Sequence, residues 1–361
     1  MSAIGIVSAD SHINTPRYLY EEFAPARFLD RLPRVESTDE GDFWLFEGTR
    51  RPGVIGLSAA AGMKPDEYGV KAVRFDEVRP GSWDTAARVA DQDLDGIAAE
   101  IIYYAGMQGD QTRDLELRHV MYRTYNDWLA SFVGGAPDRL VGLAAIPMWD
   151  VEFARAEAHR AAKLGLRGAI IPSWSPGESY VDSSWDPLWS TFEELGLPVS
   201  MHLGTRPHWV RLDNCSPAYL SVSKISMAEP LAIMLFGGPL LKHPDLEIVM
   251  AEAGIGWLAY MKEWMDNVYK RHRFWTKLEM PELPSSYFER QVFSTFQEDR
   301  PGVVTRHLIG IDNIMWASDY PHSDTTWPNS RKFIDEQFFD VPDDEREKIV
   351  SSNAAKLYGL V

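Results

Sequence analysis

Residues 313–322 read Asn-Ile-Met-Trp-Ala-Ser-Asp-Tyr-Pro-His. An unbroken apolar run, Ile314 to Ala317, ends at Ser318, Asp319 and a proline two residues on. An apolar run without alternation suits a strand buried on both faces, as in parallel sheets covered by helices. Moving back along the chain, similar runs occupy 290–295, 246–251, 198–203, 168–172, 140–146, 99–104 and 4–9. Amphipathic helical patterns separate them at 86–96, 114–133, 151–164, 186–195, 225–241, 257–271 and 301–309. Gly165 and Gly196 stand where two of these helices should stop. Two further helices, near 331–339 and 343–357, close the chain.

Eight such βα units predict an α/β fold, a distorted (β/α)8 TIM barrel with extra C-terminal helices. An open doubly wound sheet fits less well, because no Gly-rich phosphate loop follows any strand. Residues 13–80 are rich in Pro, Gly and charge and read as an insertion after strand one. The chain is read as one domain over 1–361, with 13–80 as a lid or dimer arm and residues 53–62 as its mobile part.

Composition narrows the function classes. The 361 residues carry 36 Lys plus Arg against 53 Asp plus Glu, a formal charge of −17. So acidic a chain is a poor nucleic-acid binder, since that affinity comes mainly from neutralising phosphates. One cysteine, Cys215, excludes an intrachain disulfide and a thiolate-based zinc site. The apolar stretch 231–241 is broken by Gly237, Gly238 and Pro239 and reads as too short for a membrane span. The expectation is a cytoplasmic, homodimeric enzyme with a small-molecule substrate and no membrane partner.

In a barrel of this type the active site lies at the C-terminal ends of the strands. Asp10 and His12 follow strand one, His202 ends strand five, Glu252 ends strand six, and Asp319 and His322 follow strand eight. Each has an ordinary structural alternative: Asp319 or Glu252 as a helix cap, His202 as an interior histidine. Together they bring three carboxylates and three imidazoles to one mouth. Those are the ligands of Zn²⁺, Fe²⁺ and Mn²⁺. A divalent metal with an open position activates water, and a neighbouring carboxylate can move the proton. Softer candidates for substrate contact are Arg206, Trp209, Trp174 and Trp257, near predicted strand ends.

Asp10-Ser11-His12, Met201-His202-Leu203-Gly204, Glu252-Ala253-Gly254-Ile255-Gly256-Trp257, Ser318-Asp319-Tyr320-Pro321-His322-Ser323-Asp324 and the closing Asn353-Ala354-Ala355-Lys356-Leu357-Tyr358 resemble the amidohydrolase-related (amidohydrolase-2) family. That branch of the amidohydrolase superfamily includes aminocarboxymuconate-semialdehyde decarboxylase and aromatic acid decarboxylases. The resemblance implies a metal-dependent TIM barrel whose ligands here are Asp10, His12, His202 and Asp319, with Asp319 also orienting or deprotonating the metal-bound water. The family's decarboxylases carry a His at the end of strand six as proton donor; Glu252 stands there instead. The superfamily's binuclear hydrolases often use a Lys on strand four, and this chain has Ile170-Ile171-Pro172-Ser173-Trp174. A two-metal site would therefore draw on Glu252 and His322. The resemblance also takes in a nonheme diiron monooxygenase acting on a diterpenoid thioester.

The leading expectation is hydrolysis of an ester, amide or lactone by a metal-activated water, with one or two divalent ions (Zn, Fe or Mn) per chain. Asp319, Glu252 and His322 are the expected catalytic groups. Diiron oxygenation and nonoxidative decarboxylation are the alternatives.

Overall fold

Ile6–His12 forms β1, a strand buried almost throughout, and it carries two of the expected ligands at its end. The computed structural model describes residues 4–104, 112–175, 179–205 and 212–360. After β1 come β2 (Arg34–Thr38), β3 (Gly41–Phe46) and β4 (Thr49–Pro52), then β5 (Ile97–Tyr103). The remaining strands are β6 (Leu140–Gly142), β7 (Ala144–Ala145), β8 (Ala169–Pro172), β9 (Val199–His202), β10 (Ile248–Ala251), β11 (Val292–Phe296) and β12 (Ile314–Trp316).

The parallel strands make two arcs, β1-β5-β6 and β7-β8-β9-β10-β11-β12. Leu143 joins them, donating its N–H to Ile102 O at 3.1 Å, so β6 and β7 are two halves of one barrel position. Beyond β12 the ring closes onto β1: Ser318 N–H donates to Ser8 Oγ at 2.8 Å and Asp319 N–H to Asp10 O at 3.0 Å. The eight-position barrel expected from the sequence is present. Register aligns its mouth, because His202 pairs with both Pro172 and Ala251, and His12 pairs with Tyr103.

The covering helices start where the sequence supplies caps. Asp84, Asp114 and Asp150 each accept a hydrogen bond from the backbone N–H three residues on, satisfying donors a helix start leaves open. The predicted helix 225–241 is jointed into Lys224–Met227, Ala228–Phe236 and Pro239–Lys242, because Gly238, at φ 104°, interrupts it before Pro239. The wider run Pro217–Lys242 is long and apolar enough to cross a membrane on length and composition alone, contrary to the sequence reading. Here it packs Leu231, Met234 and Leu235 into the core. Residue 290, predicted to start strand seven, instead lies in the helix Pro284–Gln291.

The insertion differs most from expectation. Its β2, β3 and β4 form an antiparallel sheet that the sequence reading missed. A two-residue turn, Glu47-Gly48, joins β3 to β4 with both φ positive (47° and 75°), the twist that suits a tight hairpin. Residues 53–62 are not a free loop. Ala60 and Ala61 donate their N–H groups to Pro321 O at 2.8 and 3.0 Å, and Ser323 N–H donates to Leu57 O at 2.8 Å. The insertion therefore straps onto the segment that follows β12.

Candidate metal centre

The six expected residues converge. His12 Nε2 lies 3.2 Å from Asp319 Oδ1 and 3.5 Å from Asp10 Oδ1. His202 Nε2 lies 3.5 Å from Asp10 Oδ1 and 3.7 Å from Glu252 Oε2. His322 Nδ1 lies 3.4 Å from Asp319 Oδ1, and its ring stacks on His12 with centroids 3.9 Å apart. Ligand atoms bonded to one cation at about 2 Å sit roughly 3–3.5 Å from each other, so these spacings fit a metal shell.

Two ligand groups can be drawn: Asp10, His12 and His202; and His12, Glu252, Asp319 and His322. In each, ligand atoms lie within 4.8 Å of one another, and His12 belongs to both. The donor chemistry supports a cation. Asp10 Oδ1, His12 Nε2, His202 Nε2 and both Asp319 carboxylate oxygens are buried with no hydrogen-bond partner among the described residues. Buried polar atoms are rarely left so, and a divalent cation would engage these acceptors.

The shell around the ligands is ordered. His202 Nδ1 lies 2.7 Å from Leu203 O, so the ring donates there and leaves Nε2 as the free ligand atom. Thr295, on β11, donates its hydroxyl to Asp10 Oδ2 at 3.0 Å and accepts the Glu252 N–H at 2.7 Å. Glu252 and Asp319 both occupy the left-handed region, each at φ 54°. That conformation is costly for a side chain with a Cβ and is found where a site over-determines it. Neither residue caps a helix here. Asp299 instead accepts the N–H groups of Ile255 and Gly256 at 2.6 and 2.7 Å, ahead of the helix Leu258–Thr276.

Electrostatics separates the groups. Burial, together with His322, lowers His12 to about 4, favouring the neutral ring that metal ligation needs. Burial would lower His202 too, but Asp10 and Glu252 raise it to about 9. Burial, reinforced by Asp319, raises Glu252 to about 8. Burial works against the Asp319 carboxylate, yet His322 and His12 hold it well below the usual range. Without a cation, then, the neighbouring carboxylates favour a proton on His202, and burial favours one on Glu252.

The substrate-side expectations divide. Arg206 and Trp209 lie outside the described residues. Trp174 is 43% exposed and lines a cavity of about 240 Å³ with Ser173, Tyr180, Pro230 and Ile233, just beyond β8. Trp257 is half-buried against the core and donates its indole N–H to Ala253 O at 2.8 Å, bracing the turn after Glu252. Sequence reasoning missed Thr295, a mid-strand threonine with no motif around it.

Comparison with known proteins agrees with this fold. The family model described as amidohydrolase matches residues 98–360. A gamma-resorcylate decarboxylase of Rhizobium sp. is 26% identical over 265 residues, 66% of this chain and 76% of that protein. An amidohydrolase of Mycobacterium avium subsp. paratuberculosis superposes with a TM-score of 0.80 at 20% identity, over 98% of this chain and 99% of that one. A 5-carboxyvanillate decarboxylase of Novosphingobium aromaticivorans, complexed with manganese, gives 0.71 at 19% identity, over 98% and 96%.

Proposed function

This chain belongs to the amidohydrolase family of metal-dependent barrel enzymes, and on that premise we propose that it catalyses nonoxidative decarboxylation of a small aromatic or enoic carboxylic acid. The observation that carries the reading is the match, over two thirds of the chain, to enzymes named decarboxylases. It moves the preferred chemistry away from the hydrolysis expected from the sequence.

Asp10, His12, His202 and Asp319 would hold the cation: His12 Nε2 lies 3.2 Å from Asp319 Oδ1 and 3.5 Å from Asp10 Oδ1, which is 3.5 Å from His202 Nε2, and these atoms are buried without a hydrogen-bond partner among the described residues. A bound divalent cation supplies a positive anchor for the substrate's carboxylate and neighbouring oxygen. Glu252 stands where the family's decarboxylases have a histidine. Burial, reinforced by Asp319, favours its protonated form, the form a donor to carbon needs. The carbon–carbon bond breaks, its electron pair stays on the ring carbon, carbon dioxide leaves, and Glu252 delivers its proton to that carbon. The test is to load the protein with Mn²⁺ or Zn²⁺, offer hydroxybenzoates such as gamma-resorcylate in D2O, and follow carbon dioxide. Release with one deuterium at the vacated carbon supports the reading; no release across the panel sinks it.

A second reading is favoured by one observation, the second ligand group built from His12, Glu252, Asp319 and His322. With both groups filled, Glu252 would be a ligand rather than an acid, and a two-iron oxygenase becomes the better account. Two irons per chain with oxygen uptake would support it; one metal with none would exclude it.

A further inference from the structure

The metal ligands of the first and last barrel strands are tied together by a buried cation that touches neither ligand side chain. Arg88 lies on the helix Thr85–Asp95 and is 0% exposed. Its Nη1 donates to His12 O at 2.8 Å and to Gly81 O at 3.1 Å. Its guanidinium carbon sits 4.2 Å from the ring centroid of Tyr320, the residue after Asp319. One planar group thus grips the main chain of one ligand and the neighbour of another. A direct bond, His12 N–H to Tyr320 O, joins the same two segments.

The guanidinium is itself fixed. Arg88 Nε donates to Glu100 Oε2 at 2.5 Å, and Glu100 also accepts from Gln92 at 2.9 Å and from Ser11, between the two ligands of β1, at 3.2 Å. On its other side the Tyr320 hydroxyl donates to Asp91 Oδ2 at 2.6 Å, and Asp91 is held by Arg79. Gly81 leaves no room for slack: a Cβ there would come within 2.6 Å of the Tyr320 hydroxyl. Taking a charge pair out of water is costly, and an apolar pair of similar volume often serves stability as well. Arg88 has a geometric role that such a pair could not fill, because only a rigid fork of donors reaches two carbonyls and a carboxylate at once.

We propose that Arg88 is a positioning residue for the metal centre, setting the spacing of His12 from Asp319 that a cation requires. The inference rests on the ligand set alone and holds for either reaction, because its readout is metal affinity. The experiment compares Arg88→Lys and the charge-free pair Arg88→Met/Glu100→Gln with the unaltered chain. Mn²⁺ affinity is measured by calorimetry and the bound ion's electron paramagnetic spectrum recorded, alongside melting of the metal-free protein. Arg160→Lys, which perturbs the Glu157 pair away from the mouth, is the control. The expected result is a fall in Mn²⁺ affinity of roughly 10–100-fold in both Arg88 variants, with an altered spectrum, and none in the control. Unchanged affinity and spectrum in either folded Arg88 variant, whatever its melting temperature, would overturn the proposal. Because the double variant leaves no unpaired buried charge, it provides a folded protein to measure if Arg88→Lys does not.

Discussion

Thr295 and Asp10, 285 positions apart in sequence, share a buried hydrogen bond of 3.0 Å, and the same threonine hydroxyl receives the backbone N–H of Glu252. One side chain on β11 thus fixes a carboxylate on β1 and the strained backbone that presents a second carboxylate after β10. Thr295→Val keeps the shape and removes both bonds. We expect a stability loss of about 1–3 kcal/mol from the orphaned N–H, and a fall in metal affinity of roughly 10-fold or more. Denaturant melts and Mn²⁺ titration would check the two effects separately; unaltered metal affinity would reduce Thr295 to a packing residue.

His202→Ala removes a proposed ligand of the Asp10, His12 and His202 group. Its Nε2 faces Asp10 and Glu252, while Nδ1 is committed to Leu203 O. The variant is expected to fold, since His202 is the last residue of β9 and its backbone pairing with Pro172 and Ala251 does not need the ring. It should lose bound metal, together with any activity. Elemental analysis of both proteins after identical loading decides the point, and full metal occupancy in the variant would remove His202 from the ligand set.

The barrel and the side chains gathered at its mouth were legible in the sequence because they share one signature: apolar runs ending in, or closely followed by, Asp, His or Glu. Asp10, His12, His202, Glu252, Asp319 and His322 all carry it, and all meet at the mouth. The groups that hold them do not. Arg88 reads as one more charge on an amphipathic helix, and only the fold reveals that it is wholly buried beneath Tyr320. Thr295 is an ordinary β residue until β1 and β10 are set beside it. The insertion hairpin escaped notice for a different reason. Its strands mix Glu36, Asp42 and Arg50 with Trp44 and Phe46, so neither a continuous run nor a clean alternation marks them.

The protonation pattern predicts how stability depends on pH before metal is added. His202 rises from 6.5 to about 9, so its contribution is complete below 6.5 and lost as pH climbs through 9. Glu252, raised from 4.5 to about 8, favours its neutral form; its contribution is present below 4.5 and lost as pH rises through 8. His12, lowered to about 4, acts oppositely, but only below 6.5. Between pH 6.5 and 9 the metal-free protein should therefore lose stability, on the order of 1–3 kcal/mol. A cation held by His202 must displace the proton there, so Mn²⁺ affinity should rise over the same range. Melts at three pH values with and without Mn²⁺ test both slopes, and a flat metal-free curve would contradict the charge pattern.

Glu252→Gln separates the two catalytic readings. Glutamine keeps the size and leaves the backbone N–H bond to Thr295 in place, but it has no acidic proton and is a weak ligand. If Glu252 is the proton donor of a one-metal decarboxylase, the variant should bind its cation undiminished. Its kcat should fall roughly 10²–10⁴-fold, because positioned acid–base catalysis contributes about that much. If Glu252 completes a second site with His322 and Asp319, the metal count should instead drop from two to one, and the loss should appear before any substrate is present. His322→Asn gives a cross-check. It should repeat the change in metal count under the two-metal account and leave the count unaltered under the one-metal account, since His322 lies outside the group of Asp10, His12 and His202.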